Sequence, residues 1–141
     1  MSITTFLTFV GDQCGKAEEA MNFYTSIFPN SGIKSITKYS EGEAGGTPAL
    51  VKIGKFTLNG IEYRVSENNY KHAWSMTPGM SLFVDCDSDE EIQSLFNHLS
   101  SNGGMVMIPL DNYDTDNYGS SKKFGWCQDQ YGISWQLNLP E

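Results

Sequence analysis

The chain spells one order of elements twice, a strand, a helix and then three strands, and this duplication constrains the fold more tightly than composition does. In the first half, Ile3 to Val10 is β-branched and aromatic and predicts a strand. Ala17, Ala20, Met21, Tyr24, Ile27 and Phe28 then recur at helical spacing. Pro29 and the Asn30-Ser31-Gly32 turn stop that helix. Strands are expected near 33–40, 49–57 and 61–66, with the glycine-rich loop Gly42–Gly46 between the first two and an Asn59-Gly60 hairpin turn between the last two.

The second half repeats the order. Met80 to Asp85 reads as a strand, and Ser88 with Glu91 has the spacing of a capping box. The helix it opens carries its apolar face on Ile92, Leu95, Phe96 and Leu99 and ends at Asn102-Gly103-Gly104. A strand near 104–108, a polar loop through 109–121 and a closing hairpin follow. Lys55-Phe56 leading to Gly60-Ile61-Glu62-Tyr63 parallels Lys123-Phe124 leading to Gly132-Ile133-Ser134-Trp135. Shared order, offset and endings indicate a βαβββ duplication. The modules are expected at about 1–67 and 79–141, with residues 68–78 as linker, in one domain of 141 residues.

Two such modules predict an α+β fold, their strands packing edge to edge into a cup-like, half-open mixed sheet with helices outside. Alternation assigns Ile61, Tyr63 and Val65, and then Ile133, Trp135 and Leu137, to the helix-facing side. Glu62, Arg64 and Ser66, and then Ser134, Gln136 and Asn138, take the opposite parity. Arg64 and Gln136 are thus equivalent residues of the two repeats, aimed into the concave side. Arg64, Gln136 and Glu62 are the candidate ligand-binding residues. Gln136 either lines a pocket or hydrogen-bonds neighbouring strand groups.

Composition removes several function classes. Hydrophobic residues at 39% and aromatics at 13% argue against disorder. A net charge of −8 with scattered basic residues repels phosphate backbones and anionic membranes. No apolar run approaches the roughly 20 residues of a membrane span. Met1 to Phe6 lacks the basic start of a signal peptide, so a cytoplasmic protein is expected. Cys14, Cys86 and Cys127 are odd in number and widely spaced, as reduced structural thiols are. His98 falls off the apolar stripe of its helix, and His72 sits beside Tyr70 and Trp74 in the linker. Neither joins ligands at zinc-site spacing. Gly42–Gly46 lacks the phosphate-loop pattern and reads as a hairpin loop. The run Asp85 to Glu91 suits a helix N-terminus, and Asp111 to Asp116 lacks the glycine and terminal glutamate of a calcium loop. That segment is expected as a mobile loop over a mouth of the cup.

Two stretches carry a family resemblance. Ala17 to Tyr24 followed by Ile27-Phe28-Pro29-Asn30-Ser31, and Phe124-Gly125-Trp126 through Asp129 and Gly132 to Gln136, resemble the PhnB-like branch of the glyoxalase/bleomycin-resistance/extradiol-dioxygenase (vicinal oxygen chelate) superfamily. That branch is often labelled 3-demethylubiquinone-9 3-methyltransferase-like. The resemblance implies the glyoxalase/bleomycin resistance/dioxygenase fold and a homodimer. It also implies that metal-bearing members take ligands from the first and last strands of each module. The corresponding places here are near Thr5, near Met80 or Ser81, at Arg64 and at Gln136, where a Glu is usual. An amide is a poor transition-metal ligand and a guanidinium repels a cation, so Gln136 marks a vacated metal position. No Gly-rich turn feeds a parallel sheet, and methyl transfer does not follow from the label.

The sequence therefore predicts a metal-independent small-molecule-binding protein with no assigned reaction, no cofactor and no identified catalytic residue. Its expected partners are an unknown small molecule and a second copy of the chain, not nucleic acid or membrane. The alternatives are a metal-dependent lyase or isomerase acting on a small polar substrate, and a dimeric assembly module.

Overall fold

A computed structural model of the chain describes residues 1–113 and 121–141. It divides into two compact units, Met1–Met76 and Thr77–Glu141. The first contains β1 (Thr5–Phe9), a 3-10 turn (Gly11–Gln13), α1 (Ala17–Ile27), β2 (Gly32–Lys38), β3 (Val51–Leu58) and β4 (Ile61–Glu67). The second contains β5 (Ser81–Asp85), α2 (Asp89–Leu99), β6 (Met105–Asp111), β7 (Ser121–Gln128) and β8 (Ser134–Pro140). Each unit has one four-stranded mixed sheet, in the order β1-β4-β3-β2 or β5-β8-β7-β6. The first strand runs parallel to the fourth, and the other pairs are antiparallel. The fold is α+β, built from two βαβββ modules.

Each helix lies on one face of its own sheet, and the apolar stripes explain why. Helix α1 buries Ala17, Ala20, Met21 and Tyr24, and α2 buries Ile92, Leu95, Phe96 and Leu99. Tyr24 stacks on Phe56 at 6.3 Å, and Phe56 stacks on Tyr63 at 5.6 Å. A glycine in the third strand lets each helix approach closely. A Cβ at Gly54 would lie 2.8 Å from the Met21 and Val65 methyl groups, and one at Gly125 would lie 2.6 Å from the Phe96 ring. Ser88 Oγ accepts from the Glu91 N–H at 3.1 Å, capping α2 as its spacing requires.

The β3–β4 turn is the two-residue hairpin expected, with Asn59 and Gly60 both at positive φ. Its counterpart between β7 and β8 is longer and is built on Asp129. One carboxylate oxygen accepts from the Tyr131 and Ile133 N–H groups at 2.8 and 3.1 Å, and the other accepts from Trp135 Nε1 at 2.9 Å. The difference in turn length corrects the repeat alignment. Lys55 pairs with Arg64, and Trp126 pairs with Gln136. The counterpart of Lys55 is therefore Trp126, not Lys123.

Two further expectations change. Strand β6 continues to Asp111 and β7 starts at Ser121, so both strands extend into the loop expected at 109–121. Pro109 is tolerated because β6 is an end strand. The expected mobile or calcium-type loop falls largely on 114–120, outside the described residues. Parity also sorts the side chains less cleanly than alternation implies. Ile61 is exposed at the mouth of its hairpin, whereas Ser134 and Asn138, on the polar parity, are buried. Among the described residues no helix is long and apolar enough to cross a membrane.

Candidate functional site

The sheet face opposite each helix carries the predicted residues. Gly54 and Val65 point toward α1, so the intervening parity, Arg64 and its register partners, faces the other way. In the first unit the row across the sheet is Phe6, Arg64, Lys55 and Ser35. Arg64 is the one arginine of the sequence. Its Nε and Nη2 both reach Glu62 Oε2 at 3.0 Å, and Lys34 Nζ reaches Glu62 Oε1 at 2.9 Å. The hydrogen bonds from Lys34 and then Arg64 hold the Glu62 carboxyl below its ordinary range. Two of the three predicted residues, Arg64 and Glu62, are thus brought together as an ion pair.

Gln136 stands on the equivalent strand of the second unit, with its own partners. The row there is Phe83, Gln136, Trp126 and Ile108. Gln136 Nε2 donates to Ser81 Oγ at 3.1 Å, the Ser81 and Ser134 hydroxyls are 2.6 Å apart, and Trp126 Nε1 donates to Ser134 Oγ at 2.7 Å. Counting hydrogens shows what this chain of groups offers. The indole carries one, each hydroxyl one and the amide two, and three bonds consume three of the five. Two donor hydrogens remain. Rotating the amide by 180° makes Gln136 Oε1 the acceptor from Ser81 and leaves both amide hydrogens outward. In either orientation this face presents hydrogen-bond donors between two aromatic rings.

The repeat has a consequence the sequence reading missed. Phe6 and Phe83 occupy equivalent first-strand positions, beside Arg64 and Gln136 respectively. Ser81 lies on the expected face. Thr5 does not, because it pairs with Tyr63 on the helix side. Lys55 and Trp126 are the equivalent third-strand residues. The available signal was strand parity combined with hairpin register, and the longer Asp129 turn concealed it.

A metal centre of the kind the superfamily resemblance implies does not fit these residues. The neighbours of Arg64 are Phe6 and Lys55, and those of Gln136 are Phe83 and Trp126. Among the described residues no three His, Cys, Asp or Glu side chains gather as a metal site would need. His72 hydrogen-bonds Asn68 Oδ1 at 2.8 Å and packs on Trp74, with ring centroids 4.5 Å apart. His98 Nδ1 meets its own helix at the Ser94 carbonyl, 2.8 Å away. The thiols are poor nucleophiles. Burial, with nearby carboxylates, pushes Cys86 and Cys127 up to about 12 and raises Cys14 as well. Gly42–Gly46 connects β2 to β3, and its Gly45 carbonyl accepts from the Asn69 N–H at 2.9 Å.

The comparisons agree with this architecture. The model of a family described as 3-demethylubiquinone-9 3-methyltransferase matches residues 1–138. Among solved structures, the chain is similar to a putative 3-demethylubiquinone-9 3-methyltransferase, PhnB protein, from Bacillus cereus. The two are 46% identical, 99% of each chain is covered, and the TM-score is 0.85. A protein from Pseudomonas aeruginosa shares the fold at 21% identity and TM-score 0.79, over 99% of this chain and 98% of that one. So does a glyoxylase/bleomycin resistance protein/dioxygenase domain from Frankia sp. EAN1pec, at 12% identity and TM-score 0.64, over 100% and 98%. Comparison with curated proteins gives no match. The paired βαβββ units and the match over almost all of its length establish that the chain belongs to the PhnB-like, 3-demethylubiquinone-9 3-methyltransferase family, on the glyoxalase/bleomycin resistance/dioxygenase fold.

Proposed function

We propose that this protein binds a small molecule without a resident metal, using the open sheet faces on which Arg64 and Glu62, and separately Gln136, stand. The observation that carries the reading is the identity of their in-register neighbours, Phe6 and Lys55 in one sheet and Phe83 and Trp126 in the other. Aromatic surface with a few convergent polar groups suits a ligand, whereas a divalent metal needs lone pairs that these side chains do not supply. The metal-dependent lyase or isomerase reading lacks its ligands among the described residues. Methyl transfer does not follow from the family's description alone, and in the second unit a polar cap at Ser88, not a Gly-rich turn, opens α2. No reaction is assigned.

The reading treats the 141 residues as one functional domain. It places the protein in the reducing cytoplasm with Cys14, Cys86 and Cys127 free, and its partners are the ligand and a second copy of the chain. A ligand found by screening the intact protein tests it. Arg64→Ala and Gln136→Ala should each keep the native circular dichroism and thermal transition, because neither side chain lies on the helix-packed face. The variant on the face that holds the ligand should weaken binding by about 1–3 kcal/mol, the range for a buried or charge-assisted hydrogen bond. Unchanged affinity in both variants would move the site elsewhere.

A further inference from the structure

We propose that the open face of the first sheet is an anion site, where Lys55 and Arg64 take the carboxylate or phosphate group of a small molecule and Phe6 takes its apolar body. The inference rests on the small-molecule reading of that face and names the ligand class.

Lys55 and Arg64 are directly opposed across an antiparallel pair, so both project to the same side of the sheet. Like charges in that arrangement destabilise a sheet. Relief from Glu62 is spoken for, because one of its oxygens takes both Arg64 donors and the other takes Lys34. Lys55 is half-buried and, among the described residues, forms no ion pair. The second terminal nitrogen of Arg64 likewise has no hydrogen-bond partner there. Three cations against one carboxylate leave this face at a formal +2 on a chain of net charge −8. An anion bridging Lys55 and Arg64 resolves the opposition and supplies acceptors for both.

The apolar half of the ligand is placed by the same register. Phe6 flanks Arg64 on the other side and is about half exposed. With strands about 4.8 Å apart, the row runs from aromatic ring to guanidinium to ammonium over roughly 10 Å. In the second unit the equivalent row is Phe83, Gln136 and Trp126, which carries no charge. The repeat keeps the phenylalanine and changes the two residues beside it, so anion selectivity belongs to the first sheet.

The test titrates the full chain, isotopically labelled for NMR, with benzoate, neutral benzamide and inorganic phosphate at constant ionic strength set by potassium chloride. Benzoate should shift the amides around Phe6, Lys55 and Arg64, with phosphate shifting those of Lys55 and Arg64. Benzamide should bind about tenfold or more weakly, the difference expected for losing a charge-assisted contact. Lys55→Met, which keeps the stem, should weaken benzoate binding by a similar factor while the melting temperature stays level or rises. Benzamide binding this face as well as benzoate does would overturn the anion class and leave the small-molecule reading intact. Equal benzoate affinity in Lys55→Met, or no response of this face to either anion, would also overturn the proposal. A screened ligand that still depends on Gln136 would then keep the broader reading.

Discussion

At the end of β4 the buried carboxylate of Glu67 accepts from three backbone N–H groups that are remote in sequence. Oε2 takes Gly15 and, at 3.3 Å, Ala17 at the start of α1, while Oε1 takes Val51 at 2.8 Å. Its carbonyl accepts the Tyr39 hydroxyl at 2.6 Å. Helix α1 has no side-chain cap of its own at Lys16, so Glu67 fills that role from 50 residues away. Glu67→Ala should destabilise the protein by about 3 kcal/mol or more, since each buried donor left unsatisfied costs about 1–3 kcal/mol. Glu67→Gln should recover part of that loss, because one of the two oxygens becomes an N–H₂ facing N–H donors. Urea unfolding monitored by circular dichroism measures both, and an Ala variant within about 0.5 kcal/mol of the parent, the scale of an ordinary surface change, would contradict this role. None of this was legible in the sequence, where Glu67 stands as a lone charge on the apolar parity of Ile61, Tyr63 and Val65 and its partners lie in other elements. Arg64 and Gln136 were legible, because period-two alternation and the shared Gly-Ile ending fix their face and their equivalence. The Glu62 pairing with Lys34 was not, because it depends on a register shift between Ile33 and Ser35.

At the level of elements, the helices were read correctly because their apolar stripes are local. The third-strand glycines were harder, since Gly54 and Gly125 acquire meaning when Met21 and Phe96 press on them. Strand ends shifted by one to three residues where turns rather than side-chain pattern set them. The sheets have end strands β1 and β2, and β5 and β6. End strands present unpaired N–H and C=O groups that invite pairing with another chain. Exposed Met105 and Val106 on β6 add apolar surface to one such edge. A two-fold dimer that covers end strands is therefore the expected assembly. Light scattering across a dilution series should give twice the chain mass, 15.7 kDa. A monomer mass persisting at high micromolar concentration and ordinary salt would rule this assembly out.

For the whole molecule, the duplicated order of elements was enough to reach the fold and the two motif stretches, Ala17 to Ser31 and Phe124 to Gln136, were enough to reach the family, but the family does not assign a chemistry. One fold can host many unrelated functions, so function has to be argued from the residues at the site. Here the two equivalent rows hold Phe6, Arg64 and Lys55 in one sheet and Phe83, Gln136 and Trp126 in the other. We propose that these residues serve ligand binding in place of a metal centre. Elemental analysis of protein purified without added metal or chelator tests that most directly. Substoichiometric zinc, nickel, manganese and iron are expected, unchanged in Gln136→Ala. One tightly held metal per chain, lost in that variant, would contradict it.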